Sequence, residues 1–339
     1  MYGINDLKST FAMTEHEIEC PVKKCTTHIP RKTAANHVSN EAMFCDACQI
    51  YIHPTTFRYR SRQDNFLWTS REDDALFSEI VKFKTEGRYE NENSEDALSW
   101  NVFRYFHSSK RLRELLTVFG ENPGDQESDI YYWSYCNTTA TAWDPLLKAR
   151  EVFEHQDPSS EGRNPSGVSE PDIIIETSET IYIIEAKFTS GNRTSGDADG
   201  VARKIENTRG YLTGGGPGFF ESVFSSTYAD TIRAQRYELM RFWLIGSWIA
   251  DQSQKKFVLV NLVREGSELR IEEDFGNHIR QDDRRRFARW TWETIPQYLK
   301  TIECSDAGRL FEYFRDKTCG FKEDKKQETA KPKMAFTNS

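Results

Sequence analysis

Hydrophobic and polar positions change rhythm along this 339-residue chain, and each rhythm predicts an element. Short runs rich in Ile, Val and Tyr predict strands at 129–135 (DIYYWSY), 172–177, 180–187 and 255–263 (KKFVLVNLV). A period near 3.6 residues predicts helices at about 71–85, from Asn93 or Ser94 to about 116, and at 228–250. In the last of these Leu239, Phe242, Trp243, Ile245 and Ile249 are the core positions. The segment 287–302 reads as the opening of a terminal helix, with Thr291 as its cap. Residues 317–339 are charged and poor in apolar side chains, so they are expected to be a disordered tail.

The two strands at 172–187 carry the most chemistry. With Ser178-Glu179 as the turn, Thr177 faces Thr180, and Asp172 falls directly opposite Glu185. Side chains alternate along a strand, so Ile181, Ile183, Glu185 and Lys187 share one face. Two carboxylates and an ammonium therefore converge at one end of a sheet otherwise built from isoleucine. Charges in such surroundings are costly unless they pair or hold a metal. A salt bridge on a solvated hairpin is the bland alternative.

Pro171-Asp172, followed by Glu185-Ala186-Lys187, resembles the signature of the PD-(D/E)XK nuclease superfamily. The resemblance implies an α/β, restriction endonuclease-like αβββαβ core with a mixed sheet, and the order of the elements above fits it. It also implies that Asp172 and Glu185 hold Mg2+ or Mn2+, that Lys187 positions or activates the attacking water, and that the substrate is DNA. Magnesium suits such a site because it takes one or two carboxylates, keeps several waters and accepts phosphate oxygens. The acidic residue that relatives carry on the preceding helix is matched by Glu95, with Asp96 as its neighbour and rival. Relatives also often place a polar residue near the site where this chain has Gln235, although a surface role explains that residue as well.

Cysteine spacing adds a second centre. Cys20 and Cys25, then Cys45 and Cys48, form two close pairs separated by a loop, the pattern of a four-thiolate structural zinc site. His28, His37 and His53 are near enough in sequence to replace one thiol. Cys136, Cys304 and Cys319 are scattered. Clustered thiols argue for metal in a reducing compartment, and no secretory leader is evident, so the cytoplasm is the expected location.

Composition changes the picture little. The net charge of −8 disfavours nucleic acid only weakly, because local clusters are basic and aromatic. Arg58 and Arg60 follow the thiol region, Lys110, Arg111 and Arg113 follow the Glu95 helix, and Arg280, Arg284, Arg285, Arg286 and Arg289 interleave with Phe287 and Trp290. Of these, Arg58, Arg60, Arg284, Arg285 and Arg286 are the candidate nucleic-acid contacts. No run approaches the roughly 20 apolar residues of a membrane span. The expected organisation is a lead-in (1–19), a zinc module (20–56), a connector (57–90), a nuclease-like domain (91–316) and the tail. A zinc module on such a core resembles prokaryotic restriction or defence proteins acting on phage or plasmid DNA, with a homodimer or a defence-system subunit as the expected partner. An RNA or branched-DNA nuclease, and a non-catalytic zinc-dependent DNA-binding or assembly protein, remain open alternatives.

Overall fold

The computed structural model describes residues 1–31, 43–84, 87–124, 128–154, 169–193 and 198–336; His37 lies outside them. In chain order the first strands are β1 (Phe11–Ala12), β2 (Glu17–Glu19), β3 (His28–Pro30), β4 (Phe44–Cys45), β5 (Ile50–Ile52) and β6 (Phe57–Tyr59). Helices α1 (Arg71–Ile80), α2 (Glu95–Ser108) and α3 (Leu112–Val118) precede β7 (Asp129–Tyr132), β8 (Tyr135–Cys136) and β9 (Thr141–Ala142). Then come α4 (Asp144–Phe153), β10 (Ile173–Glu176), β11 (Thr180–Ala186), α5 (Ala198–Asn207), α6 (Gly210–Thr213), α7 (Phe219–Val223) and α8 (Tyr228–Arg233). The remainder is α9 (Tyr237–Ser253), β12 (Lys256–Val263), α10 (Ile271–Gly276), β13 (Arg285–Thr291), α11 (Thr294–Leu299), α12 (Ser305–Asp316), β14 (Thr318–Asp324) and β15 (Thr329–Met334).

The chain divides into two compact units. One comprises residues 1–69, 88–105 and 295–339; the other comprises 70–87 and 106–294. The second unit is a mixed α/β layer around a sheet ordered β13-β12-β11-β10-β7-β8-β9. Its β10–β11 and β10–β7 pairs are antiparallel, whereas β11–β12 and β12–β13 are parallel. Ile174, Ile181, Ile183, Phe257, Leu259 and Phe287 share a core with Leu239, Met240, Phe242 and Trp243 of α9. That helix is apolar nearly all round, as expected of an element covered on most sides.

The long helix expected at 228–250 is two helices. Gln235 has φ +57°, a left-handed conformation that breaks the helical ladder between α8 and α9. The terminal helix expected from 287 is also corrected, because 285–291 is β13, an edge strand lying parallel to β12. Thr291 ends that strand, and its Oγ1 lies 3.0 Å from Thr294 Oγ1 at the start of α11. Pairing with β12 outweighs the weak helical period of FARW, an override common in tertiary context.

The first unit corrects the reading of the carboxyl terminus. Residues 318–334 form the antiparallel pair β14–β15, and β15 also pairs with β1. Phe321 and Ala330 enter one small core with Leu7, Phe11, Ile18, Ile50, Ile52 and Phe57. Cys20 and Cys45 belong to the same core, so residues 1–19 are part of the thiol region's fold. Gly320 (φ +92°) lets β14 pass so close to Thr55 that a Cβ would sit 2.4 Å from its carbonyl oxygen. Lys317 is buried and lies 3.8 Å from the buried Glu92 carboxylate, which also accepts from Thr318 and Thr56. Strand pairing and the burial of Cys319, Phe321, Ala330, Ala335 and Phe336 order this segment despite its polar composition.

Candidate functional site

Asp172 immediately precedes β10, and Glu185 lies near the end of β11. The pairs Ile173↔Ile184 and Ile174↔Ile183 give the register that the Ser178-Glu179 turn predicts, which sets Asp172 opposite Glu185. Ala186 N donates to Asp172 Oδ2 at 2.9 Å, so the facing strand's backbone orients that carboxylate. Parallel pairing continues the row, with Glu185 beside Asn261 and Asn261 beside Arg289. Residues in register on adjacent strands point to one face, so a polar row runs from Asp172, just before β10, across β11, β12 and β13 at the end of an apolar layer.

The first turn of α9 completes the cluster. Lys187 Nζ lies 2.5 Å from Glu185 Oε1 and 3.1 Å from Glu238 Oε2. Glu185 is only 4% exposed. Burial drives its pKa well above 4.5, with Asp172 and Glu238 pushing the same way and Lys187 opposing them. Burial also works against the Lys187 ammonium, but Glu185, Glu238 and Asp172 outweigh it and raise its pKa. Burial would raise Glu238 too, yet the Lys187 charge holds it below the ordinary value. The result is one ammonium shared by two carboxyl groups, with a third carboxylate next to them.

Two members of this cluster were not picked out in the sequence. Asn261 had a signal, since it is the polar residue in the apolar run FVLVNLV. Glu238 had none, because a glutamate in a helix's first turn is ordinarily a dipole partner. Gln235 accepts from Arg193 Nε at 2.7 Å and so ties down the segment that follows Lys187. Glu95 opens α2, where Ser94 caps the helix by accepting from Ala97 N at 3.1 Å; Glu95 is half-buried and belongs to the first unit.

The basic candidates have diverse surroundings. Arg285 binds both Asp251 oxygens, Arg286 pairs with the buried Glu121, and Arg284 stands 4.0 Å from Asp251 with its side chain 53% exposed. Arg289 donates to the carbonyls of Arg264, Glu265 and Ser267. In the first unit Arg58 lies 4.4 Å over the Tyr51 ring, and Arg60 donates to Gln49 Oε1 at 2.9 Å.

The thiols of Cys20, Cys25, Cys45 and Cys48 all lie within 4.8 Å of one another. Two tight turns bring them there, one with Lys24 at φ +66° and one with Gln49 at φ +56°. Cys25 Sγ and Cys45 Sγ are 3.7 Å apart. A tetrahedron with Zn–S bonds of about 2.3 Å has edges of about 3.8 Å, so the set could hold a metal such as zinc. His28 is not part of it, since its Nδ1 pairs with Glu17 at 2.9 Å. Among the described residues no other group of three or more metal-ligating side chains is gathered so tightly.

Fold and sites together define a mixed α/β protein with a four-thiol cluster able to hold a metal. No family model, no curated protein and no solved structure matches this chain. Among the described residues no helix is long and apolar enough to cross a membrane.

Proposed function

We propose that the chain is a magnesium-dependent nuclease that hydrolyses DNA phosphodiester bonds, with a restriction endonuclease-like core in its second unit. The observation that carries this reading is the β10–β11 register, with Asp172 opposite Glu185 and Lys187 on the face of Glu185. Burial and two acidic neighbours raise the pKa of Glu185 against the pull of Lys187, so a further cation beside it would be favoured.

Asp172 and Glu185 would hold the metal, with Asp172 already oriented by the Ala186 amide. Bound there, magnesium supplies charge for the phosphate and lowers the pKa of water. With Glu185 engaged by a metal, Lys187 would keep its second partner, Glu238, and its ammonium would stay at the site. It can then orient the attacking water and balance charge on the phosphate. Water oxygen bonds to phosphorus, the bond to the 3′ oxygen breaks, and that oxygen takes a proton, giving a 3′-hydroxyl and a 5′-phosphate. The four thiols would hold zinc as a folding element of the first unit, where the core is small.

The test is plasmid cleavage by zinc-loaded chain with magnesium, with manganese or with neither, alongside Lys187→Ala. Metal-dependent nicking that disappears in the variant supports the assignment. Cleavage that persists in the variant, or none by the parent on duplex, single-stranded, branched and RNA substrates, would sink it.

A further inference from the structure

Asn261 of the polar row and Asn192, which follows β11, form a pair of side chains that the proposed chemistry has not used. Asn261 is 0% exposed and Asn192 is 3% exposed. Asn192 Nδ2 donates to Asn261 Oδ1 at 2.7 Å. Asn192 Oδ1 and Asn261 Nδ2 are both buried and have no hydrogen-bond partner. Buried amide groups are almost always paired, and an orphan acceptor beside an orphan donor needs an explanation. Asn192 Nδ2 also lies 3.5 Å from Glu268 Oε2. Glu268 Oε1 accepts from Asn192 N at 3.2 Å, and Arg193 is tied to Gln235.

The two orphans specify their ligand. A phosphate or carboxylate oxygen only accepts, so it would leave Asn192 Oδ1 unpaired. Water both accepts and donates, and one molecule can accept a hydrogen bond from Asn261 Nδ2 and donate one to Asn192 Oδ1. Asn261 sits in register with Glu185 on the neighbouring strand, about 4.8 Å away across the sheet and on the same face.

We propose that Asn192 and Asn261 are positioning residues that hold a water beside Glu185 for the hydrolytic reaction. The inference rests on the nuclease reading above and deepens it. The amides act through the water they orient, and a pair with its donor and acceptor left open is a site kept for function at the expense of stability.

The experiment compares the parent chain with Asn192→Leu/Asn261→Leu in cleavage kinetics and thermal unfolding. Replacing both partners of a buried polar pair by apolar groups of like shape is near neutral for stability. The double variant should therefore keep its Tm while kcat falls about 100-fold, with little change in KM. Should it fail to fold, Asn261→Ser and Asn261→Ala decide the matter. The two leave similar space, and only serine retains a donor, so the serine variant should be about tenfold faster at equal Tm. Equal rates in the serine and alanine variants, or a folded double variant as active as the parent, would overturn the inference alone. A parent that cleaves nothing overturns the nuclease reading, and this inference with it.

Discussion

Replacing Lys187 by methionine removes the one positive charge that Glu185 and Glu238 share while keeping the length of the side chain. Removing one partner of a buried ion pair typically costs about 3–5 kcal/mol, because it strands the other charge. Here Lys187 is 13% exposed and Glu238 is 43% exposed, so solvent relieves part of the loss and about 3 kcal/mol is expected. The loss should depend on pH. Glu185 has a folded-state pKa above its unfolded 4.5, and without Lys187 it lies higher still. Such a group stabilises the fold fully below 4.5 and loses that contribution as pH rises through the folded value. The part of the variant's deficit that comes from Glu185 should accordingly grow as pH rises above 4.5. Urea unfolding of parent and variant at several pH values measures this. Chelators are left out of the buffers, so that a metal held by the thiol cluster would stay in place. Magnesium at about 100 times its Kd should return about 2.7 kcal/mol to the variant. A deficit below about 1 kcal/mol at pH 8, the size of an exposed pair, would show that Lys187 is not the counter-ion of a buried carboxylate.

Asp172→Ala should keep DNA binding in a mobility-shift assay while cleavage falls about a thousandfold, a loss of about 4 kcal/mol in transition-state stabilisation. Retained cleavage would remove Asp172 from the site. Purified chain should carry one zinc per molecule by elemental analysis, and Cys45→Ser should lose it together with the first unit's cooperative unfolding transition; a metal-free chain with an unchanged transition would refute the role. Lys317→Met should cost about 3–5 kcal/mol in denaturant unfolding, since it strands the buried Glu92. Burial holds Glu92 at a raised pKa against the pull of Lys317, so this deficit too should grow as pH rises above 4.5.

Some of this was written in local sequence. The period of two in IIIETSETIYIIEAK places Asp172 opposite Glu185 and Glu185 beside Lys187, because a hairpin's register follows from its turn and its alternation. The two cysteine pairs announced their cluster because each pair lies on one tight turn. Both features depend on neighbours a few residues apart, where backbone geometry leaves little choice. What the tertiary structure decided concerns partners distant in the chain. Glu238 reaches Lys187 only because α9 packs its apolar face over β11 and β12, and Asn261 joins the row only because β12 pairs parallel to β11. The arginines of β13 look like one basic cluster in sequence, yet Arg285 and Arg286 are answered by Asp251 and Glu121 from remote segments. The carboxyl-terminal residues have the composition of a disordered tail, and they become strands because β1 offers an edge and Glu92 a buried charge. Periodicity sets which face a side chain takes, whereas packing between distant segments sets what that face meets.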